Sequence, residues 1–226
     1  YFVIAGVLFV AGLLFSGCGI SQKRTYEIQG KKNAIQYIED KYGFKPSVKS
    51  VKSIKYNGSP IPFSTSSYTG YVYVKMEHEN KTFYVYISGL SKNTDGIDNY
   101  QINVIEDAIS QKVEEMVSNI INIDYCIGNE KVSSDDAYYG MLPLKYDGDN
   151  LSAVLDTAQV KRIIVSLVDS DLSSLTEEMI KEAFGSKTDI LFVNYKSLED
   201  YQDAANTVYG LTDTRLSSGI EENSAY

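Results

Sequence analysis

The chain has 226 residues, enough for one medium domain or two small ones, and its 43% hydrophobic and 23% charged residues are typical of a globular protein. The net charge of −9 argues against a general nucleic-acid binder, which needs a basic surface. The charge is divided: residues 23–55 carry a net charge of +6 and residues 56–226 carry −15. The basic segment either is attracted to anionic lipid headgroups or carries ordinary solvated lysines, and the dispersed positions of the lysines favour the second interpretation.

The first 17 residues contain no charged side chain and lead into the sequence Phe15-Ser16-Gly17-Cys18. Such a stretch fits the apolar region of a signal peptide, which ends in small residues. The sequence resembles the lipobox of bacterial lipoproteins, in which an apolar residue and two small residues precede a cysteine that receives diacylglycerol; Phe15 stands where that family usually has Leu. The resemblance implies that residues 1–17 are removed, that Cys18 carries lipid, and that the protein lies on the outer face of the bacterial cytoplasmic membrane.

A retained membrane helix is the alternative interpretation, because 17 uncharged residues lie near the lower limit for spanning a bilayer. Lys23 and Arg24 would then favour a cytoplasmic carboxyl side. The second cysteine is Cys126, so a lipid on Cys18 leaves no intrachain disulfide and excludes a disulfide-stapled scaffold. Cys126 lies among apolar residues with no basic neighbour, which predicts a buried structural thiol.

The first half of the chain predicts a helix, a strand, a hairpin and a second helix. Apolar residues at helical spacing indicate a helix over residues 31–42, which Gly43 can end, and an extended segment follows over residues 48–54. Residues 71–88 predict a β-hairpin with a two-residue turn at Asn80-Lys81, in which Met76 opposes Val85. One face of that hairpin is apolar and consists of Val72, Val74, Met76, Phe83, Val85 and Ile87. A stripe of isoleucines predicts the second helix over residues 100–121.

The second half begins with a connection and continues as alternating strands and helices. Residues 124–150 contain glycines, a proline and an acidic run, which indicates a boundary between lobes over residues 18–123 and 151–216. A short helix over residues 151–160 precedes strands over residues 162–168 and 189–195. Capping boxes that start at Ser174 and Ser197 predict the two helices after these strands, with Gly185 ending the first and a polar tail over residues 217–226.

These elements predict the α+β fold class. An antiparallel hairpin or meander flanked by helices comes first, and a βαβα part follows. The two strands of the βαβ unit are expected to be parallel, with a right-handed crossover.

Four tyrosines on the polar face of the hairpin form the first candidate binding surface: Tyr71, Tyr73, Tyr84 and Tyr86. If their rings are exposed together, they could stack on sugar rings or anchor a protein partner. If a helix covers them, they form a second core face. The helices that flank the hairpin in sequence need a sheet to pack on, which favours a covered or half-covered patch.

Asp169 and Asp171 form a second candidate site, because they follow a strand at the end of the sheet where open α/β folds bind ligands. Two carboxylates there would suit acid–base chemistry, although a solvated loop is the simpler interpretation. Oxygen-rich loops over residues 93–99 and 146–150 lack the complete EF-hand pattern and are interpreted as helix-capping turns. His78 is the only histidine and lies on the apolar hairpin face, which favours a structural role. No metal site and no cofactor are predicted.

A helix that ends in Lys41-Tyr42-Gly43-Phe44, a strand-rich stretch, and a helix that begins Asp98-Asn99-Tyr100-Gln101 resemble a pattern in uncharacterised lipoproteins of low-GC Gram-positive bacteria. The resemblance covers about residues 30–120 and implies no catalytic residue, since those proteins have no assigned activity. We therefore expect a lipid-anchored extracytoplasmic protein with a binding or accessory role and a protein or glycan partner. An envelope hydrolase that uses carboxylates and a single-span subunit of an envelope complex are the alternatives.

Overall fold

The computed structural model describes residues 2–55, 68–128, 139–208 and 219–221, and it describes side chains for residues 22–55, 68–128 and 139–204. The chain divides into two compact units, Tyr1–Tyr100 and Gln101–Tyr226. This division lies at the start of the helix predicted over residues 100–121, which the sequence analysis placed in the first lobe. The sequence had instead predicted a boundary within residues 124–150. Both units combine helices with a β-sheet, so the fold is α+β.

The first unit consists of one long helix and a four-stranded antiparallel sheet. Its elements are α1 (Phe2–Tyr42), β1 (Ser47–Lys55), β2 (Tyr68–His78), β3 (Lys81–Ser88) and β4 (Gly96–Asp98), and the strands lie in the order β1-β2-β3-β4. The apolar hairpin face is confirmed as the core side of the sheet. It is buried with three residues of α1, and the core comprises Ala34, Tyr37, Ile38, Val72, Val74, Met76, Phe83, Val85 and Ile87.

α1 is continuous from Phe2 to Tyr42, so the helix predicted over residues 31–42 is the last part of a longer one. The face of α1 that packs against the sheet includes Tyr26, Gly30 and Ala34, which recur every four residues. This helical spacing therefore begins before residue 31, where the predicted helix started. A Cβ atom at Gly30 would lie 2.2 Å from a methyl group of Val72, so helix and sheet approach closely there. α1 ends at Gly43, whose φ of +80° confirms the predicted terminator. Among the residues whose side chains the structure describes, no helix is long and apolar enough to cross a membrane.

The hairpin between β2 and β3 has the predicted faces but a different register. Its turn residues are Glu79 and Asn80, with φ values of +48° and +64°, and His78 pairs with Lys81. Met76 therefore opposes Phe83, and the prediction that it opposes Val85 was wrong. A shift of two residues keeps every side chain on the same face of the sheet, so the apolar pattern could not distinguish the two registers. The tight turn needs two consecutive residues with positive φ.

The described residues of the second unit form a mixed four-stranded sheet and four helices. Its elements are α2 (Ile102–Met116), β5 (Ile120–Gly128), α3 (Leu151–Asp156), β6 (Val160–Val168), α4 (Glu177–Phe184), β7 (Asp189–Tyr195), α5 (Leu198–Val208) and β8 (Gly219–Glu221). The strands lie in the order β5-β6-β7-β8. β5 is antiparallel to β6, while β6, β7 and β8 are parallel, as expected for the βαβ pair.

β5 is the longest of the strands that the sequence prediction missed. β4 and β8 are the others in the described part of the chain, and β4 lies in residues 93–99, which were wrongly interpreted as a turn that caps the next helix. α2 ends at Met116 and Val117 is already extended, so residues 117–121 do not continue the helix as predicted. Asn119 has a φ of +55°, and from Ile120 the chain runs antiparallel to β6. Alternation along β5 buries Ile127 and leaves Cys126 exposed, so the prediction of a buried thiol was wrong. β5 pairs with the edge of β6 that β7 leaves free. No local sequence pattern indicates this pairing, because the two strands are far apart in the chain.

The helix starts in the second unit are partly as predicted. Ser197 caps α5, since its hydroxyl accepts a hydrogen bond from the Asp200 N–H at 3.1 Å. α4 begins three residues later than predicted: its N-cap is Thr176, whose hydroxyl accepts from the Met179 N–H, and Ser174 lies outside the helix. α3 ends at Asp156 rather than at residue 160. Of the predicted polar tail, residues 219–221 form β8 and residues 217–218 and 222–226 lie outside the described residues.

Candidate functional site

An open cleft of about 550 Å³ lies in the second unit between α2, the loop before α3, α3 and α4. Such a volume is within the usual range for small-ligand sites. Apolar side chains from three helices line part of it: Ala108, Met116, Leu151, Met179 and Ala183. Met179 is 40% exposed, which is high for a large apolar side chain. Methionine side chains are flexible and adapt to different ligand shapes, so this part of the cleft suits the apolar portion of a ligand.

The polar lining of the cleft is mostly acidic. Glu115, Asp149 and Glu182 supply three carboxylates, against the single ammonium group of Lys112. The Lys112 Nζ atom lies 2.7 Å from a carboxylate oxygen of Glu115, and this hydrogen bond raises the pKa of Lys112. Lys112 is therefore charged and already paired, so the carboxylates of Asp149 and Glu182 leave the cleft with a net negative charge.

The loop that forms one side of the cleft is held in place by its own hydrogen bonds. The Gln101 side chain donates to the Tyr146 carbonyl oxygen and accepts from the Tyr146 N–H, both at 2.8 Å. One Asp147 carboxylate oxygen accepts from the N–H groups of Asp149 and Asn150. Residues 146–150 therefore form a turn closed by side chains, as predicted, but the predicted helix cap is absent because the Asn150 side chain makes no capping hydrogen bond at the start of α3. The shape of this side of the cleft is set before a ligand binds.

The four candidate tyrosines lie together on the face of the first sheet opposite α1. The Tyr71 and Tyr86 rings are parallel, with centroids 5.0 Å apart, and the Tyr73 ring lies 5.2 Å from Tyr86. Their exposure differs: Tyr73 is buried at 7%, Tyr84 and Tyr86 are half-buried, and Tyr71 is 38% exposed. The structure thus brings the rings of Tyr71, Tyr73 and Tyr86 together, and the Tyr84 ring lies 5.9 Å from the Lys75 Nζ atom. Mainly Tyr71 is presented to solvent, so these rings are less suited to stacking a flat ligand than the cleft is to enclosing a ligand.

Asp169 and Asp171 are both exposed in the loop after β6. The Asp171 carboxylate accepts a hydrogen bond from the Ser173 N–H at 2.9 Å, and this bond lowers the pKa of Asp171. Asp169 has a φ of +47°, and its backbone N–H donates to the Tyr195 carbonyl oxygen. Both residues therefore serve the loop geometry at the carboxyl ends of the parallel strands.

The first unit contains a buried polar cluster that the sequence analysis did not identify, which we call the Asp98 network. Asp98 is buried, with 2% of its surface exposed. Its carboxylate accepts hydrogen bonds from four donors: the Tyr37 and Tyr42 hydroxyls, the Lys41 ammonium and the Tyr100 N–H. The Lys41 Nζ atom is 2.7 Å from the carboxylate. The network joins the end of α1 to the end of β4. The sequence signal for it was the spacing of Tyr37 and Lys41, which lie four residues apart and therefore on one face of the helix.

Burial dominates the protonation behaviour of the Asp98 network. It lowers the pKa of Lys41, although the neighbouring carboxylate acts in the opposite direction. Burial and the Asp98 charge together raise the pKa of Tyr37 and Tyr42 far above the usual range, so both hydroxyls stay protonated and donate. Every polar atom of the Asp98 side chain is engaged within the protein, which indicates a structural role.

Two other predicted positions can be placed. The His78 ring stacks on Phe44, with centroids 3.7 Å apart, at the end of the first-unit core. The backbone of Cys18 lies within α1, and its side chain lies outside the described residues. Among the residues that are described, no three His, Cys, Asp or Glu side chains are grouped as metal ligands would be. Comparisons with protein-family models, with curated proteins and with solved structures found no match to this chain.

Proposed function

We propose that this chain is a binding protein held at the outer face of the bacterial cytoplasmic membrane, with lipid on Cys18 and a ligand cleft in the second unit. The continuity of α1 carries the proposal, because the helix leads from the lipobox-like sequence directly into the first sheet. Tyr26 is the first residue of α1 in the core, and eight residues of helix after Cys18 span about 12 Å. A lipid on Cys18 would therefore hold the folded unit close to the bilayer.

Labelling with a radioactive fatty acid in a Gram-positive host tests the anchor. A full-length protein should incorporate label, and Cys18→Ala should abolish it because the acceptor sulfur is removed. Cys126→Ala is the matched control and should retain the label, since Cys126 is an exposed thiol outside the lipobox-like sequence. A full-length protein with no label and an unchanged mass would contradict lipidation. Protease accessibility of the carboxyl terminus in intact cells would then give the orientation of a retained helix.

The cleft supports a binding role for a ligand that carries positive charge and an apolar portion. Its carboxylates outnumber its ammonium group, and its apolar residues come from three helices. A protein segment with lysines on one side and leucines on the other has this chemistry. The lysines of such a segment would be attracted to the carboxylates at the rim of the cleft, and its leucines would be buried from water against Met116 and Met179.

Calorimetric titration with an amphipathic lysine-rich peptide tests the binding role. We expect Glu182→Gln to weaken binding by up to about fivefold, the upper range for one exposed charge pair. Glu114→Gln is the matched control, since Glu114 is an exposed carboxylate of α2 outside the cleft lining, and it should leave affinity unchanged. A peptide with glutamates in place of lysines should not bind. Equal affinity for both peptides, or binding of neither, would count against this function for the cleft.

A further inference from the structure

The amino-terminal side of the first unit is formed by segments that are distant in sequence. The Ser53 hydroxyl lies 3.4 Å from the Lys23 carbonyl oxygen and 3.3 Å from a Glu27 carboxylate oxygen, so the end of β1 is beside the start of the packed part of α1. A Cβ atom at Gly89 would lie 2.4 Å from the Tyr26 carbonyl oxygen, so the chain after β3 is there as well. We call this region the proximal end of the unit.

The proximal end gathers basic side chains that are dispersed in the sequence. Four exposed cations lie on α1 and β1: Lys23, Arg24, Lys52 and Lys55. The nearby carboxylate is that of Glu27, which lies 3.7 Å from the Lys23 Nζ atom and also contacts Ser53. Leu90 adds an apolar side chain that is 60% exposed and lies over Gly70. A basic surface with one exposed leucine is better suited to contact with a negatively charged interface than to exposure to bulk water.

The position of this surface along α1 identifies its partner. Lys23 follows Gly17 by six residues of continuous helix, which is a rise of about 9 Å. A charge at that height lies about one Debye length, roughly 8 Å at physiological salt, from the end of the apolar segment. Headgroups of the bilayer that holds residues 1–17 or a lipid on Cys18 would therefore be the first charged groups that these cations meet.

We propose that the proximal end binds anionic phospholipid headgroups through Arg24, Lys52 and Lys55 and thereby sets the tilt of the first unit on the membrane. The inference rests on the proposed membrane attachment, although it holds for either a lipid anchor or a retained helix. We interpret these lysines differently from the sequence analysis because the contacts of Ser53 with Lys23 and Glu27 place the end of β1, which carries Lys52 and Lys55, beside the first described turns of α1. Each cation at such a surface strengthens attraction to anionic lipid by about fivefold.

Energy transfer from a single tryptophan tests the proposal, since the chain contains none of its own. Leu90→Trp places the donor at the proximal end, and the full chain is reconstituted in phosphatidylcholine vesicles. The acceptor is acyl-labelled pyrene phosphatidylglycerol or, at the same mole fraction, acyl-labelled pyrene phosphatidylcholine. Transfer to the phosphatidylglycerol acceptor should exceed transfer to the phosphatidylcholine acceptor several-fold, and added salt should reduce the difference. Equal transfer to the two acceptors would overturn the proposal.

Two variants control the measurement. The Arg24→Gln/Lys52→Gln/Lys55→Gln variant should remove the preference while circular dichroism stays unchanged, and a preference that persists would exclude these cations as its source. Thr82→Trp places the donor at the far end of β3, about 20 Å from Ser88, and should transfer less to both acceptors; transfer as strong as from position 90 would place the wrong end at the membrane. Failure of Cys18 labelling with a retained lipid preference would refute the lipid anchor alone, and labelling without the preference would refute this inference alone.

Discussion

Substitution of Asp98 by asparagine should strongly destabilise the first unit. The change keeps the size of the side chain but removes the charge that Lys41 needs, and the Lys41 side chain is only 9% exposed. An uncompensated buried charge of this kind costs about 3–5 kcal/mol. Because small domains have a free energy of unfolding of about 5–15 kcal/mol, this single change would remove a large part of the total.

The loss of stability should differ between the two partners of the ion pair. Lys41→Met should cost less than Asp98→Asn, because the carboxylate keeps the Tyr37 hydroxyl, the Tyr42 hydroxyl and the Tyr100 N–H as donors. In the double variant the two losses should not add, since each single change already breaks the ion pair. A coupling energy of about 1–3 kcal/mol is expected for residues in direct contact.

Hydrogen–deuterium exchange of peptides from β2 and β3 in urea is the appropriate assay, because it reports on the first unit separately from the second. Bulk probes of a chain with two units need not follow a single transition. Glu77→Gln, in the exposed pair with Lys49 in the first unit, is the control and should change stability by less than about 1 kcal/mol. A change below about 1 kcal/mol for Asp98→Asn as well would refute the view that the Asp98 network stabilises the unit.

Two further predictions concern pH and helix capping. The pKa of Tyr37 and of Tyr42 is raised in the folded protein, so their contribution to stability is complete below pH 10, the usual tyrosine pKa, and is lost above it as the unfolded chain ionises first. Stability of the first unit should fall above pH 10 by about 1.4 kcal/mol per pH unit for each of the two, and Tyr42→Phe should make the slope shallower by about that amount in urea unfolding at alkaline pH. Thr176→Ala should destabilise the second unit by about 1 kcal/mol in urea unfolding, because it removes the acceptor of the Met179 N–H, whereas Ser174→Ala should have little effect. Equal effects at positions 174 and 176 would support the predicted helix start instead of the observed one.

Local patterns in the sequence determined the fold class, the apolar face of the hairpin, the parallel βαβ pair and the cap at Ser197. Each of these depends on residues that are close in sequence, since side chains alternate along a strand and a capping box spans four residues. The same patterns left the hairpin register open by two residues, because that shift preserves both faces. They also assigned the segment after Met116 to a helix, because its isoleucines fit either period.

Tertiary structure decided which distant residues meet. The Asp98 network joins α1 to a carboxylate more than 50 residues later, and the cleft combines α2 with α3 and α4. The proximal end brings Ser53 beside Lys23 and Glu27 only because β1 returns along α1. These contacts depend on how elements pack around each core, and packing is a property of the whole unit rather than of any sequence window. The sequence by itself therefore determined the α+β fold class, while membrane attachment stays a prediction, and the packing within each unit determined where charge and apolar surface are brought together.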